Sequence, residues 1–342
     1  MNQRTWGHLV PDPSAQILEP APANSEIGAE RALRPARLAE YVGQERMRGI
    51  IGIMLEAATT RQAALDHVLL YGPPGLGKTT MANVIAAELG VKIHHASGPS
   101  IERAGDLVAI LVSLQPRDVF FIDEIHRLRS DLEEILYSAL EDYAVDIVSG
   151  FGASAKTLRL NLSPFTCVGA TTRAGIITGP LRDRFGVSFR LEFYSQAELT
   201  AIIERSARLL GTSIEPAAVN LLARRARGTP RIANRLLRRS GDEALVAGSE
   251  RITEALAARM MERLHIDPAG LDAADRAYLT TLQDTFAGGP AGVTALAASL
   301  SEDPVTLEDL VEPYLLRLGL IARTPRGRVI TEAGRTYLGL AP

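Results

Sequence analysis

Apolar residues recur with two different periods between residues 46 and 170, and each period predicts a different element. Four short runs are strand candidates and lie at residues 68–71, 92–96, 119–122 and 165–170, and all but the second are mostly apolar. Stretches with apolar residues every three or four positions predict helices at residues 46–59, 101–114 and 131–141. Because parallel strands need a connection long enough to hold a helix, this alternation predicts an α/β domain whose parallel sheet carries helices on both faces.

Two helix starts are predicted by the spacing of serine and glutamate. In a capping box, a serine is followed three residues later by a glutamate, and each side chain bonds the backbone N–H of the other residue. This spacing occurs at Ser130 with Glu133 and at Ser195 with Glu198. It predicts helices that begin one residue after each serine.

The first part of the chain differs in composition from the rest. Residues 1–29 are rich in proline, alanine and serine, and neither hydrophobic period is sustained there. We expect a flexible leader, with order beginning near Ala32. The large α/β domain is then predicted at residues 30–194.

A hairpin is predicted inside the α/β domain. Two β-prone runs, at residues 145–148 and 157–160, flank Gly150-Phe151-Gly152. Two such runs around a glycine turn are typical of an antiparallel pair. The hairpin at about residues 145–162 interrupts the alternation of strands and helices, so we expect a projecting arm and regard it as a candidate for binding a partner protein.

The chain after residue 195 has a different pattern. Residues 196–264 are predicted to be helical throughout, with arginines on the polar faces, and form a small all-α domain at 195–265. Three shorter helical patterns follow and lead into two β-prone runs joined by Pro325-Arg326-Gly327. Three helices followed by a hairpin are typical of a winged helix, which we place at residues 268–342.

Composition narrows the class of protein. The 342 residues are 46% hydrophobic and 23% charged, and no apolar stretch reaches membrane-spanning length. Residues 1–29 lack the basic start and apolar centre of a secretion signal, so a cytoplasmic protein is expected. The formal net charge of -3 gives no overall attraction to nucleic acid, and any DNA contact must come from local arginine clusters. The single cysteine, Cys167, lies in an apolar run and is expected to be a buried side chain.

Residues 72–80, GPPGLGKTT, follow the first predicted strand and open an apolar helical stretch at 81–89. This is the spacing and context of a phosphate-binding loop, in which glycines let backbone N–H groups converge on phosphates, Lys78 reaches the β- and γ-phosphates and Thr79 holds Mg²⁺. The other interpretation is a glycine-rich turn that binds nothing. Lysine usage argues against it, because Lys78 is one of only three lysines among 37 basic residues. The predicted ligand is a nucleoside triphosphate.

Two acids follow the third predicted strand. Asp123 would lie beside the metal held by Thr79, and Glu124 would polarise a water molecule toward the γ-phosphorus. An acidic pair after a strand is also a common helix start. The phosphate loop upstream favours the catalytic interpretation, and with it hydrolysis rather than binding alone.

Two further positions are candidates for contacting the γ-phosphate. Thr171 and Thr172 end the next strand, where a polar side chain would lie between the acids and the γ-phosphate, although such a pair is also ordinary turn chemistry. Arg182 and Arg184 stand two residues apart between apolar residues. Surface ion pairs are the usual role of such arginines. The alternative is that one of them is an arginine finger, which stabilises charge on a triphosphate bound by a neighbouring subunit.

The phosphate loop and four further motifs together resemble the RuvB family, the bacterial Holliday-junction branch-migration motors of the AAA+ class. The four motifs are DEIHRL at 123–128, GATTRAG at 169–175, PLRDRFG at 180–186 and RTPRGR at 323–328, in the family's order and spacing. The resemblance runs from about Leu33 to the C-terminus, and the leader before it is longer than the family usually has. It implies an AAA+ P-loop domain, a small all-α lid domain and a C-terminal winged-helix domain.

The resemblance also implies roles for individual residues. Those that it places beside ATP are Leu33, Arg34, Gly75, Gly77, Lys78, Thr79, Thr80, Glu141, Asp142, Tyr143, Arg184, Tyr194 and Arg231. Those that it implies in Mg²⁺ binding or catalysis are Lys78, Thr79, Asp123, Glu124, Thr172, Arg184 and Arg231. Of these, Thr79 and Asp123 would organise Mg²⁺ and Glu124 would activate water. Thr172 and Arg231 would be sensors, and Arg184 would be the finger acting in trans.

The partners implied by the resemblance are DNA and other proteins. A homo-hexameric ring would draw duplex DNA at Holliday junctions through itself during recombination and repair, with Arg323 and Arg328 meeting DNA phosphates. The arm would dock on RuvA through Ile147 and Val148, and a RuvC-type nuclease would resolve the product.

Two other classes of protein remain open. The first is a clamp-loader subunit, which is also an AAA+ protein, and the second is a DNA-binding regulator that uses ATP to assemble rather than to move. The winged-helix pattern argues against a clamp loader, where a helical collar is usual. The presence of Glu124 and Arg184 argues against a regulator.

Overall fold

The computed structural model describes residues 32–149 and 156–340. The leader predicted at 1–29 and the tip of the predicted hairpin lie outside the described residues, as do the side chains of residues 147–149 and 156–157. The described chain forms two compact units, Leu33–Tyr194 and the chain from Ser195 onward.

The first unit alternates strands with helices. Its helices are α1 (Glu45–Arg61), α2 (Lys78–Leu89), α3 (Ala104–Ser113), α4 (Ser130–Asp142) and α5 (Gly179–Asp183). Its strands are β1 (Val68–Tyr71), β2 (Ile93–Ser97), β3 (Val119–Asp123), β4 (Ala144–Ser149), β5 (Lys156–Asn161), β6 (Thr166–Thr171) and β7 (Val187–Arg190). Short 3-10 turns lie at Leu38–Glu40, Gly98–Ser100, Ile125–Arg127 and Ala174–Ile176.

Five of these strands form one parallel sheet in the order β2-β3-β6-β1-β7. The four strands predicted in this sheet are all present, and their bounds differ from the predicted ones by no more than one residue. β7 was not predicted, because its residues form no apolar run in the sequence. Only Phe189 among them is buried. Since the strands are parallel, the loops that follow β1, β6 and β3 open at one edge of the sheet.

Helices cover both faces of the sheet. Phe120 and Ile122 of β3 pack in a buried cluster with Leu107 of α3 and Leu136 of α4. Phe121 points to the opposite face because side chains alternate along a strand. On the described chain, α2 contributes nothing to that cluster and contacts β3 and β6. The predicted parallel sheet between two layers of helices is therefore confirmed.

Cys167 is fully buried in the same cluster, as expected. Burial raises the pKa of its thiol above the usual value. The backbone N–H of Cys167 donates to Nδ1 of His67 at 3.0 Å, and Nε2 of His67 donates to the carbonyl of Leu140 at 3.0 Å. Burial lowers the pKa of His67, in keeping with a neutral ring that accepts at one nitrogen and donates at the other.

The predicted hairpin consists of β4 and β5. The two strands pair antiparallel from Ala144 opposite Asn161 to Ser149 opposite Lys156, one residue longer at each end than predicted. Ile147 and Val148 lie on β4, and their side chains are outside the described residues. The hairpin begins two residues after α4 ends, so the end of that helix determines where β4 starts.

The prediction of a capping box at Ser130 is wrong. α4 begins at Ser130 itself, and Arg129 occupies the cap position without a side-chain cap bond. The carboxylate of Glu133 instead accepts hydrogen bonds from the hydroxyls of Tyr137 at 2.8 Å and Thr178 at 3.0 Å. The Glu133 carboxylate therefore bonds Tyr137 and the distant Thr178 instead of the backbone N–H that a capping box would require.

The second unit is mostly helical. Its helices are α6 (Gln196–Leu209), α7 (Pro216–Arg225), α8 (Pro230–Val246), α9 (Glu254–Arg263), α10 (Ala273–Asp284), α11 (Val293–Leu300), α12 (Pro304–Thr306), α13 (Glu312–Arg317) and α14 (Glu332–Tyr337). Its strands are β8 (Ser213–Ile214), β9 (Arg251–Ile252), β10 (Ile321–Thr324) and β11 (Gly327–Ile330). A π-helical turn, Leu307–Val311, joins α12 to α13.

Helices α6 to α9 pack against one another and form the lid. The capping box predicted at Ser195 is confirmed, since the Glu198 N–H donates to the Ser195 hydroxyl and the Ser195 N–H donates to the Glu198 carboxylate. The prediction of helix throughout this region is wrong at β8 and β9, which pair in parallel. This short pair joins the connection between α6 and α7 to the connection between α8 and α9. Ile252 is completely buried in it.

Helices α10, α11 and α13 with β10 and β11 form the predicted winged helix. The two strands are antiparallel, and the fully buried Tyr278, Leu296 and Leu315 lie in the core between helices and strands. The C-terminal α14 was not predicted. Among the described residues, no helix combines the length and the apolar character needed to cross a membrane.

Candidate functional site

The phosphate loop joins β1 to α2. Gly75 and Gly77 have φ angles of 78° and 103°, which residues with a Cβ rarely adopt. α2 begins at Lys78, so the unpaired N–H groups of its first turn face the loop. Lys78 is buried, and its Nζ donates to the carbonyls of Gly72 at 2.7 Å and Pro73 at 3.0 Å. The loop thus holds the ammonium group at the turn where backbone N–H groups would bind an anion.

Two buried tyrosines support this loop. Tyr194 donates to the carbonyl of Leu76 at 3.2 Å and lies 3.4 Å from the hydroxyl of Tyr41. A Cβ on Gly77 would lie 2.4 Å from the Tyr41 hydroxyl. Burial, followed by the effect of Tyr194, raises the pKa of Tyr41 well above its usual value, so it remains a hydroxyl at neutral pH. Tyr41 was not predicted as a site residue, because an isolated upstream tyrosine belongs to no motif.

Asp123, Glu124 and Thr172 meet at the carboxyl ends of β3 and β6, which are neighbours in the sheet. Oε2 of Glu124 accepts from the Thr172 hydroxyl at 3.2 Å and from its N–H at 3.4 Å. Oδ1 of Asp123 accepts from the Glu124 N–H at 3.0 Å. Glu124 has a φ of 46°, a left-handed conformation that costs about 1–3 kcal/mol and recurs at functional sites.

His126 is a further partner of Glu124. Its Nδ1 lies 3.2 Å from Oε2 of Glu124 and 2.8 Å from the Thr171 hydroxyl. Burial by itself would raise the pKa of Glu124, but hydrogen bonds from His126 and the Thr172 N–H, with the charges of His126 and Lys78, lower it below its usual value. Glu124 is therefore a carboxylate at neutral pH, which is the form a general base needs. Only the position of His126 two residues after Glu124 could have pointed to it in the sequence.

Leu33 and Arg34, predicted beside the adenine, begin the first unit. Leu33 is buried and Arg34 is half-buried. A few residues later the Leu38 N–H donates to Oε1 of Glu88 in α2 at 2.8 Å. The N-terminal stretch is thereby tied to the helix that carries Lys78.

Arg184 belongs to a second group, which α4 organises. Its Nη2 lies 2.6 Å from Oε2 of Glu141, and its guanidinium lies 6.0 Å from the centre of the Tyr137 ring. The Tyr137 hydroxyl donates to Glu133 at 2.8 Å. The neighbouring Arg182 donates to the carbonyl of Ala174, so the two arginines have separate partners.

The residues predicted beside the nucleotide at the end of α4 have structural partners. Asp142 pairs with Arg159 of β5 at 2.8 Å, and Tyr143 packs edge-on against His67 and Phe165 in the core. Glu141 pairs with Arg184. These contacts connect α4 to the arm and to the core, and the roles of the three residues toward the nucleotide remain predictions.

Arg231 lies in the first turn of α8, directly after Pro230, and its side chain is exposed. The segment before it contains Gly228, with a φ of 70°, and the buried Thr229 at the cap position. Arg231 belongs to the second unit and the phosphate loop to the first.

The two predicted DNA-binding arginines face one another across β10 and β11 and share a buried carboxylate. Arg323 donates to Oε2 of Glu312 at 2.7 Å, and Arg328 donates to Oε1 at 2.9 Å. Arg328 also pairs with Glu308 at 2.7 Å, and the Tyr278 hydroxyl donates to Oε1 of Glu312 at 3.0 Å. The side chain of Arg323 is 47% exposed and that of Arg328 only 14%. Glu312 was not predicted, because a single acid in a helical pattern has no sequence signal.

Three features define a nucleotide-binding P-loop protein. They are the parallel sheet, the loop with Lys78, Thr79 and Thr80 at the start of α2, and the acids Asp123 and Glu124 at the end of β3. With the helical lid that follows, the architecture is that of the AAA+ class.

Family profiles identify the particular family. The Holliday junction DNA helicase RuvB P-loop domain matches residues 33–191, the RuvB AAA lid domain matches 194–267, and the RuvB C-terminal winged helix domain matches 268–339. The chain belongs to the RuvB family. The resemblance stated from the motifs, and the three-part fold that it implied, are thus confirmed.

Solved structures of Thermotoga maritima RuvB are similar to this chain over most of its length. A lysine-to-arginine variant is 49% identical, covers 91% of this chain and 99% of its own, and has a TM-score of 0.84. The Holliday junction branch migration motor of the same organism is 48% identical, with 91% and 99% coverage and a TM-score of 0.83. A threonine-to-valine variant is also 48% identical, with 91% and 100% coverage and a TM-score of 0.83.

Proposed function

We propose that this chain is an ATP-driven motor that moves Holliday junctions along duplex DNA during recombination and repair. Its membership of the RuvB family supports the proposal. The observation that carries it is the carboxylate of Glu124, which accepts a hydrogen bond from the Thr172 hydroxyl at 3.2 Å on a strand end near the phosphate loop. A carboxylate fixed at this position can act as the base that activates water, which hydrolysis needs and binding alone does not.

The proposed ligand is ATP with Mg²⁺. The Thr79 hydroxyl and the Asp123 carboxylate are oxygen ligands of the kind that Mg²⁺ prefers, and the two residues begin α2 and end β3. Magnesium bound there would neutralise phosphate charge. Lys78 would leave the carbonyls of Gly72 and Pro73 for the phosphates.

Hydrolysis would use residues of two subunits. Glu124 would orient the attacking water, and Thr172 would sense the γ-phosphate from the neighbouring strand. Arg184 would leave Glu141 and reach the triphosphate of an adjacent subunit, so a homo-hexameric ring would complete every site. Arg231 would report the γ-phosphate to the lid.

Leu33, Arg34 and Tyr194 would enclose the adenine side of the nucleotide, with the segment 141–143 nearby. The glycines Gly75 and Gly77 and the first-turn Thr80 would complete the phosphate cradle. We divide the chain into a large ATPase domain at 30–194, a lid at 195–265 and a winged-helix head at 268–342.

The head would hold duplex DNA through its phosphates, since a motor that moves along any sequence cannot depend on base identity. Arg323 and Arg328 are the proposed contacts. The arm would bind RuvA through Ile147 and Val148, RuvA would recognise the junction, and a RuvC-type nuclease would act on the product. The site of action would be the cytoplasm, where bacterial DNA lies.

A four-way junction assembled from labelled oligonucleotides tests the function. The full chain with RuvA is expected to convert the junction into duplex products while consuming ATP continuously. A clamp loader would consume ATP without converting junctions, and a regulator that ATP merely assembles would bind DNA without continuous consumption. Either result would overturn the proposal.

Two variants test the chemistry of the site. Lys78→Ala is expected to lose ATP binding, whereas Glu124→Gln should bind ATP with about wild-type affinity and lose turnover by about 100-fold or more. Asp131→Asn is the matched control, because Asp131 is an exposed acid paired only with Arg129 in the described structure. Full turnover by Glu124→Gln would mean that the base is another residue.

A further inference from the structure

Arg227 connects the lid to the winged helix through a buried side chain. It follows α7 in the lid, has a left-handed φ of 56°, and is only 6% exposed. Its Nη1 lies 3.3 Å from Oδ2 of Asp272, and its Nη2 donates to Oδ1 of Asp275 at 2.9 Å. Both carboxylates belong to the start of α10, the first helix of the head.

The two aspartates also shape the helix start that receives Arg227. Asp272 accepts from the N–H groups of Ala274 and Asp275, and the Asp272 N–H donates to Asp275, which completes a capping box. The Asp275 side chain is fully buried. Buried carboxylates are costly without a cation, so α10 as folded depends on the guanidinium that the lid supplies.

The head holds Arg227 by two further contacts. The guanidinium stacks 4.5 Å from the ring centre of Tyr314 in α13, whose hydroxyl donates to the carbonyl of Ala269 at 2.6 Å. Arg317 donates through Nη1 to the backbone carbonyl of Arg227 at 3.2 Å. The side chain and the backbone of Arg227 are therefore both fixed by residues of the winged helix.

Arg227 lies close in the sequence to Arg231, the residue that we propose as the sensor of the γ-phosphate. Only Gly228, Thr229 and Pro230 separate it from Arg231. Thr229 is buried at the cap of α8 and Pro230 has a fixed φ, so this connection has little freedom. The helix start that carries Arg231 cannot shift relative to α10 without disturbing the buried contacts of Arg227.

We infer that Arg227 is a positioning residue that makes the lid and the head move together, so that a change at Arg231 on ATP hydrolysis displaces the DNA-bound winged helix. This inference rests on the proposed function, because it assigns Arg231 to the γ-phosphate and the head to DNA. Arg227 would couple the two domains mechanically without touching ATP or DNA.

The test compares ATP consumption with junction movement in one reaction of full-length protein, RuvA and labelled junction. In the double variant Arg227→Met with Asp275→Asn, the cation and its most buried partner are both neutral. The Asp272 carboxylate loses its cation but keeps the hydrogen bonds from the N–H groups of Ala274 and Asp275. We expect junctions converted per ATP to fall by about tenfold, while ATP turnover and nucleotide affinity stay within about twofold of wild type. Arg227→Lys keeps the charge without the fork or the stacking and should recover part of the loss.

A lid-internal pair gives the control. Arg259→Met removes a partner of the buried Glu243 within the lid, and should lower the melting temperature without changing the number of junctions converted per ATP. Proportional losses of ATP turnover and junction movement in the Arg227 variants would show a purely structural role and overturn the inference. If the double variant does not fold, unchanged coupling in Arg227→Lys overturns it and reduced coupling supports it. Failure of the wild-type protein to move junctions would instead overturn the proposed function.

Discussion

Arg184 is paired with an acid of its own chain, since its Nη2 lies 2.6 Å from Oε2 of Glu141. The carboxylate is 57% exposed and the arginine side chain 32% exposed, so the pair is accessible to solvent. Exposed pairs of this kind contribute only about 0–1 kcal/mol to folding. In the proposed ring, a phosphate bound by a neighbouring subunit would therefore replace Glu141 at little energetic cost.

Arg184→Ala is accordingly expected to change the melting temperature little and to lower ATP turnover by about 10³-fold, the usual effect of losing an arginine finger. Mixing it with Lys78→Ala subunits should restore part of the activity, because some interfaces then combine an intact loop with an intact finger. Arg182→Ala is the matched control and should retain turnover. If mixing restores nothing, the finger does not act between subunits.

His126 is expected to set the pH range of hydrolysis. Since His126 contributes a hydrogen bond and charge that lower the pKa of Glu124 while burial opposes them, His126→Gln should raise that pKa. A raised pKa protonates the base at higher pH, so the acid limb of the kcat profile should move upward. Steady-state ATP hydrolysis at saturating ATP and DNA between about pH 5 and 9 measures this. His94→Gln, which alters a histidine paired with Asp118 instead, should leave the limb in place.

The close approach of Tyr41 to Gly77 predicts a steric requirement at the loop. Gly77→Ala would strain a φ of 103° and place a Cβ 2.4 Å from the Tyr41 hydroxyl, so ATP affinity should fall by about tenfold or more. Adding Tyr41→Phe removes the clashing oxygen and should recover part of the affinity, whereas the strain in φ remains. Gly49→Ala, where a Cβ meets nothing within 4 Å, is the control. Isothermal titration with ATP provides the measurement, and equal affinity in the two loop variants would exclude the clash.

Arg323 and Arg328, on the hairpin of β10 and β11, differ in burial, so we expect them to contribute unequally to DNA binding. Arg323→Ala should reduce the slope of log affinity against log salt by about 1, as expected for one lost phosphate contact. Arg328 is mostly buried against Glu308 and Glu312, so Arg328→Ala should change the slope less and lower the melting temperature more. Arg326, exposed at the turn between the strands, provides a comparison. Binding to a duplex of arbitrary sequence at several salt concentrations tests this, and equal slopes for both variants would contradict it.

The elements that could be predicted from the sequence are those whose signal is local. Apolar runs locate the buried strands β1, β3 and β6, and the loop at residues 72–80 carries its own glycine and lysine spacing. β7 could not be found in this way, because Val187-Ser188-Phe189-Arg190 forms no apolar run and only Phe189 in it is buried. The capping box at Ser130 failed because Glu133 is used by Tyr137 and Thr178.

The same distinction applies to the candidate site. Lys78, Asp123 and Glu124 belong to motifs with fixed spacing, so the sequence is sufficient to name them. Tyr41 and Glu312 act through contacts with residues far away in the chain, Leu76 and Arg328 among them. No spacing rule describes such contacts, because only the folded chain brings these groups together.

The burial of Cys167 has a practical consequence. A thiol without solvent access and with a raised pKa has almost no reactive thiolate at neutral pH, so alkylating dyes will not modify it in the native protein. One new cysteine on the arm or on the wing would then be the only site that reacts, with no need to replace Cys167 beforehand. Fluorophores attached in this way would allow the movements of individual subunits on DNA to be followed by energy transfer.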